Sequence, residues 1–194
     1  MRRVGLIGGT FDPIHNGHVL LALFTRETLA LDEVVFIPAA DPPHKDSTHA
    51  QADQRMDMVE MAIAGVDGFS ASRIELDRPG KSYTVDTLRQ LHADYPQSAF
   101  FLIIGSDNVA QMSTWHDPFG IMDLCTVVAG KRLAEDADVD PALASRMRFI
   151  DTPLIELSST HIRQRLQDGL AVRGMIPDSV ECYIGEKGIY KPCI

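Results

Sequence analysis

Cysteine is scarce in this 194-residue chain, with Cys125, Cys182 and Cys193 its three copies. They are odd in number and form no C-x-x-C pair, which excludes a disulfide framework or a zinc knuckle and points to a reducing, cytoplasmic setting. Positive charge is also in deficit: 18 Lys+Arg stand against 27 Asp+Glu, a net charge of -9. A general nucleic-acid binder is usually basic, so nucleic acid is not an expected partner. Long apolar runs are missing. After Met1-Arg2-Arg3 the apolar stretch from Val4 to Gly9 is too short for a signal-peptide core and reads as a strand. Nothing approaches the length of a membrane span.

What remains is ordinary globular material, 45% apolar and 23% charged. The length suits one domain over 1–194, with a helical portion from about 158 to the end. A homo-oligomer is compatible with this composition. Short apolar runs predict strands at Val4–Ile7, Glu33–Ile37, Phe69–Leu76, Ala99–Ile104, Cys125–Ala129 and Arg148–Ile150. Helical spacing predicts helices over His18–Leu31, Gln54–Ala64, Thr84–Tyr95, Thr160–Leu166 and Ser179–Glu186. Asp41-Pro42-Pro43-His44-Lys45 reads as a loop, because proline cannot sit inside a helix. Ala134–Ala144, rich in Asp and Ala, reads as a variable surface segment. Strands alternating with helices imply an α/β, doubly wound, mainly parallel sheet with helices on both faces. Ligands on such sheets sit beyond the carboxyl ends of the strands. The segments with unusual residues, Gly8 to His18, Pro38 to Lys45 and Gly105 to His116, all begin where a strand is expected to end.

The first of these is Gly8-Gly9-Thr10-Phe11-Asp12-Pro13-Ile14-His15-Asn16-Gly17-His18. The glycines permit a sharp turn and a close approach by a ligand, and Asp12-Pro13 continues the turn. With a helix beginning near Gly17 or His18, His15 and His18 can face one point at its N-terminus. Exposed N–H groups and the positive end of the dipole favour an anion there. Either histidine alone is more often a satisfied surface group, but the whole string suits a polyphosphate. Other readings fail. No G-x-G-x-x-G occupies this turn. Gly80-Lys81-Ser82 matches the end of a P-loop, yet Glu75 stands where its first glycine belongs. No H-E-x-x-H pattern or third ligand supports a metal at His15 and His18, so no protein metal ligand is assigned.

Gly9-Thr10-Phe11-Asp12-Pro13 followed by His15-x-x-His18 resembles the nucleotidyltransferase superfamily marked by an H-x-G-H box, written H-N-G-H here. Ser158-Ser159-Thr160-His161-Ile162-Arg163 enters a predicted helix; alone it is a plain helix cap with a surface arginine. Beside the first motif it is similar to the superfamily's second signature, S-S-T-x-I-R. Pro42-Pro43-His44-Lys45, Ser82-Tyr83-Thr84, Gly105-Ser106-Asp107-Asn108, Thr114-Trp115-His116 and Tyr183-Ile184 with Gly188-Ile189-Tyr190 follow in order. Together they resemble the bacterial nicotinate-mononucleotide adenylyltransferases. One departure stands ahead of the Pro-Pro pair: the family often has asparagine there, and this chain has Ala39-Ala40-Asp41.

The resemblance implies a Rossmann-like fold and transfer of AMP from ATP to nicotinate mononucleotide. It places ATP against Gly8, Gly9, Thr10, Phe11, His15, His18, Gly105, Asp107, Ser158, Ser159, Thr160 and Arg163. His15, His18 and Arg163 would carry the catalysis. His44, Lys45, Thr84 and Trp115 would surround the pyridine nucleotide; for Trp115 a core role is an equal reading. Mg2+ is expected with ATP, resting on substrate and water. The rivals are another adenylyl- or cytidylyltransferase on the same fold, with nicotinamide mononucleotide or phosphopantetheine as acceptor, and a non-catalytic nucleotide-binding module.

Overall fold

The computed structural model describes residues 1–41, 48–130, 140–153 and 155–190, with residues 106 and 107 described in their backbone alone. Six strands form one sheet: β1 (Arg2–Gly9), β2 (Glu33–Pro38), β3 (Phe69–Ala71), β4 (Ser98–Ile104), β5 (Thr126–Gly130) and β6 (Arg148–Ile150). All neighbours are parallel, in the order β3-β2-β1-β4-β5-β6. The doubly wound parallel sheet expected from the sequence is therefore present. Its order reverses between β1 and β4, where such sheets open a crevice at their carboxyl ends.

Burial on both sheet faces follows the two-residue period of the strand. Phe100, Leu102 and Ile104 of β4 join one apolar cluster, and Phe101 and Ile103 join the other. The first cluster takes side chains from α1 (Asn16–Leu29), α2 (Ala52–Ile63), α7 (Ser159–Gln167) and α8 (Asp178–Lys187). The second takes them from α3 (Thr84–Asp94), α4 (Ser106–Gln111), α5 (Pro118–Leu124) and α6 (Pro141–Ala144). Ile162, Val180 and Tyr183 of the C-terminal helices sit in the same cluster as Phe101 and Val128 of the sheet.

Several boundaries differ from expectation. Helix α1 starts at Asn16 and ends at Leu29, because Ala30 adopts a left-handed φ of 47° and donates its N–H back to Arg26 and Glu27. Leu31 thus leaves the helix and is buried. Strand β3 is three residues long, not the run to Leu76. Ser72 makes a last bond to Phe36 O, and Asp77 N then turns back to Arg73 O at 2.9 Å. This edge strand has a partner on one side alone, so little opposes the turn. The turn carries Glu75 inward, where it is 7% exposed. Helices α4 and α5 were not expected. The described part of the 134–144 segment holds α6, with Leu143 buried. No helix among the described residues is long and apolar enough to cross a membrane.

Candidate active site

The turn after β1 is compact. A side chain on Gly9 would stand 3.2 Å from the Phe11 ring. Phe11 is a non-glycine residue with φ 51°, followed by a cis Asp12–Pro13 bond. A left-handed φ at a bulky residue costs about 1–3 kcal/mol and persists where its surroundings enforce it. Here they do. Arg55 Nη1 of α2 donates to Thr10 O at 2.7 Å, Arg163 Nη1 of α7 to Asp12 O at 2.7 Å, and Ser159 Oγ to Pro13 O at 2.8 Å. Three carbonyls of the turn are thus gripped by side chains distant in sequence.

His15 caps α1, and its N–H donates to His18 Nδ1 at 3.2 Å. In a neutral His18 ring this assigns the proton to Nε2. The two imidazoles stack with centroids 3.6 Å apart and an interplanar angle of 19°. Phe11 meets His18 edge-on at 5.1 Å. His15 is buried, and burial lowers its pKa to about 4. At neutral pH His15 is therefore an uncharged ring, so the pair is not two cations facing a phosphate.

That shift carries a sign. Between pH 6.5 and about 4 the unfolded chain binds a proton that folded His15 refuses, so stability falls on acidification through this window. The full shift corresponds to about 3 kcal/mol. Burial raises the Glu75 carboxyl despite its bonds to Thr87 and Ser82, and a raised carboxyl works in the opposite sense. Asp12 is lowered overall, so its loss belongs below the window. Urea unfolding at pH 7, 5.5 and 4.5 should show a steeper decline for the native chain than for His15→Asn. Equal slopes would rule out the buried neutral His15.

A cavity of about 1080 Å³ opens beside this turn. Gly8, Gly9, Thr10, Phe11, His15, His18, Gly105, Ser158, Ser159 and Thr160, all expected at ATP, lie on its wall. Gly105 caps α4, and Ser158 caps α7 by accepting from His161 N at 3.2 Å. Arg163 is not on the wall; it stands behind it, with Nη2 on Thr160 Oγ1 at 3.2 Å. Thr84 and Trp115 line the same cavity with Ser82, Tyr83 and His116. Trp115 also packs against the second apolar cluster, so both readings of it hold. Tyr83 and His116 rings lie 4.5 Å apart. His44, Lys45 and the Asp107 side chain lie outside the described residues. Asp41 is described, and its N–H and that of Ala40 both donate to Ser82 Oγ.

The sequence reading assigned no structural role to the buried side chains of Asp12, Arg55 and Glu75. Asp12 is 3% exposed, and its carboxylate accepts from His49 N at 2.8 Å, Ala50 N at 3.0 Å and Tyr190 Oη at 2.6 Å. Arg55 is 1% exposed, so a whole guanidinium sits inside the protein behind the turn. Glu75 lines the cavity and accepts from Thr87 Oγ1 at 2.7 Å. A charged residue at a core-facing helix position, such as Arg55 ahead of the buried Met56, Met58 and Val59, was the available signal.

Comparison with known proteins agrees with this geometry. The cytidylyltransferase-like family model matches residues 6–165. A probable nicotinate-nucleotide adenylyltransferase of Herpetosiphon aurantiacus is 43% identical over 196 residues, spanning 98% of this chain and 99% of the relative. One from Thermus thermophilus is 43% identical over 189 residues, 97% and 100% of the two chains. The solved Plasmodium falciparum nicotinic acid mononucleotide adenylyltransferase complexed with NaAD superposes with a TM-score of 0.80 over 98% of each chain; at 16% identity this likeness concerns the fold. With the family model matched over residues 6–165 and near-complete alignment to such relatives, the chain belongs to the cytidylyltransferase-like family, among the nicotinate-nucleotide adenylyltransferases.

Proposed function

We propose that this chain transfers AMP from ATP to nicotinate mononucleotide, giving nicotinate adenine dinucleotide and pyrophosphate, a step of NAD biosynthesis. One observation carries the reading: a single cavity is lined by the His15–His18 turn, by the Ser158–Thr160 cap and by Tyr83, Thr84, Trp115 and His116. A triphosphate and a second nucleotide have room to meet there.

The acceptor phosphate is largely ionised at neutral pH, its second pKa being about 6. One of its oxygens attacks the α-phosphorus of ATP in line. The bond from that phosphorus to the bridging oxygen of the β-phosphate breaks, and pyrophosphate leaves with the electron pair. No protein nucleophile or general base is required, so the chain's task is positioning and charge stabilisation. His18, with its Nε2 proton, addresses the transferred phosphoryl oxygens; neutral His15 holds the His18 ring by stacking. The amides at the N-termini of α1 and α7 supply partial positive charge without burying a cation. Ser158, Ser159 and Thr160 hold the leaving pyrophosphate, with Arg163 behind them.

Mg2+ fits as part of the ATP complex. The acidic side chain nearest the turn, Asp12, has its carboxylate oxygens occupied by three donors, so triphosphate oxygens and water would hold the ion. It would neutralise charge on the leaving group.

Helix α3 begins at Thr84 on the acceptor wall. A helix N-terminus favours an anion, which supports the acid over the amide form of the pyridine. Pyrophosphate release with ATP and nicotinate mononucleotide, nicotinamide mononucleotide or phosphopantetheine tests this. The acid form should exceed the amide in kcat/KM by at least about tenfold, the size of one good charge interaction. Preference for either other acceptor overturns the substrate. ATP binding by calorimetry with no turnover in any arm overturns the enzyme.

A further inference from the structure

We propose that Tyr190, near the C-terminal end of the chain, is a positioning residue for the reaction, acting through Asp12 on the phosphate-facing turn. This rests on the adenylyl-transfer reading above and names part of the machinery behind it. Tyr190 Oη donates to Asp12 Oδ1 at 2.6 Å across 178 positions of sequence. Both residues are buried, at 7% and 3% exposure. The same Oδ1 accepts from Ala50 N, and Oδ2 accepts from His49 N. The carboxylate is thereby held from two sides, by the end of the chain and by the segment leading into α2.

The main-chain carbonyl of Asp12 is meanwhile fixed by Arg163. One residue of the turn therefore gathers three separate elements: the segment before α2, helix α7 of the second motif, and the tail after α8. Tyr190 itself has a φ of 63°, a conformation that bulky residues rarely adopt. Its backbone is thus set so that the ring enters the core below the turn. Residue Phe11, next to Asp12, meets the His18 ring edge-on. Loosening the Asp12 carboxylate frees the turn on which His15, His18 and the ATP-facing glycines sit. The reacting groups are near-attack only while that turn is rigid, and a displacement of about 1 Å costs on the order of a hundredfold in rate.

The test is Tyr190→Phe, which keeps the ring and removes one hydroxyl, alongside Asp12→Asn and the double variant. ATP and nicotinate mononucleotide turnover, ATP affinity by calorimetry and thermal midpoints are measured on each full-length protein. Tyr190→Phe should lower kcat about tenfold and raise both the KM and the dissociation constant for ATP several-fold. The KM for the acceptor should stay within about twofold. A merely structural role would reduce the amount of folded enzyme, which lowers apparent kcat but leaves KM and ATP affinity unchanged. Because the two residues share one bond, the double variant should be little worse than Asp12→Asn alone. Native kinetics and ATP affinity in Tyr190→Phe overturn the proposal, as does a double variant whose losses multiply. A native chain that binds ATP but shows no turnover would instead sink the functional reading. In that event the calorimetric comparison of native and Tyr190→Phe still decides the role of Tyr190.

Discussion

Replacing His18 by alanine is expected to lower kcat about 10²–10³-fold, the usual cost of removing one donor aimed at charge that develops in the transition state. The ring occupies the first turn of α1, on the cavity wall, stacked on His15 and edge-on to Phe11. These contacts fix its plane, so little reorganisation is needed when charge builds on the phosphoryl oxygens. Its structural share is modest. Losing the bond from His15 N to Nδ1 costs on the order of 1 kcal/mol, or a fall in Tm of about 2–4 °C for a chain of this size. His15→Asn should cost less in kcat, because a neutral buried ring contributes orientation rather than charge. Steady-state kinetics with thermal melts separate these. A folded His18→Ala protein within threefold of native kcat would remove His18 from the chemistry.

The site was legible where the chemistry is local in sequence. Gly8 to His18 announces a turn feeding a helix, and a turn is found there, but Gly8 and Gly9 close β1 in register with β2 and the left-handed φ falls on Phe11. Ser158 announces a cap, and its hydroxyl accepts from His161 N. Strand β4 and its closure at Gly105 followed from an unbroken apolar run, and the reversal of strand order puts that end beside β1. What stayed hidden is what depends on residues meeting across the fold. Nothing near Arg55 in sequence reveals that its guanidinium will meet Thr10 O, and nothing near Tyr190 reveals Asp12. The expected extension of β3 to Leu76 missed the turn that sends Glu75 into the cavity wall. Helices α4 and α5 were lost for another reason. At six and seven residues they are too short to show a helical period. Yet Asp117 followed by Pro118 is a start signal: Asp117 caps Gly120 N at 3.1 Å, and proline takes the first turn. His15 shows the limit of residue type as a guide. Two nearby histidines suggest two equivalent imidazoles at a phosphate, but burial makes His15 a neutral packing partner.

Arg163→Lys tests whether a positive charge behind the second motif suffices, and it should not. The guanidinium already spends two of its nitrogens on protein, Nη1 on Asp12 O and Nη2 on Thr160 Oγ1. Through those two bonds it ties the first turn to the second motif, and on the proposed reading its charge acts on pyrophosphate from behind Thr160. A lysine ammonium is a point charge with no rigid fork, and cannot span both acceptors at these positions. Lysine therefore keeps the Coulomb attraction but releases either the turn or the Thr160 hydroxyl. We expect kcat/KM for ATP to fall about 10²-fold in Arg163→Lys and about 10³-fold in Arg163→Ala, charge-assisted bonds being worth roughly 1.5–3 kcal/mol each. The two losses differ in kind. Arg163→Ala should also weaken binding of pyrophosphate measured alone, whereas Arg163→Lys should retain most of that binding and lose turnover. Pyrophosphate affinity by calorimetry beside steady-state kinetics distinguishes them. If lysine restores native kcat/KM, the fork is unnecessary, and Arg163 acts by charge alone. If alanine leaves both pyrophosphate binding and turnover intact, Arg163 merely fastens α7 to the turn.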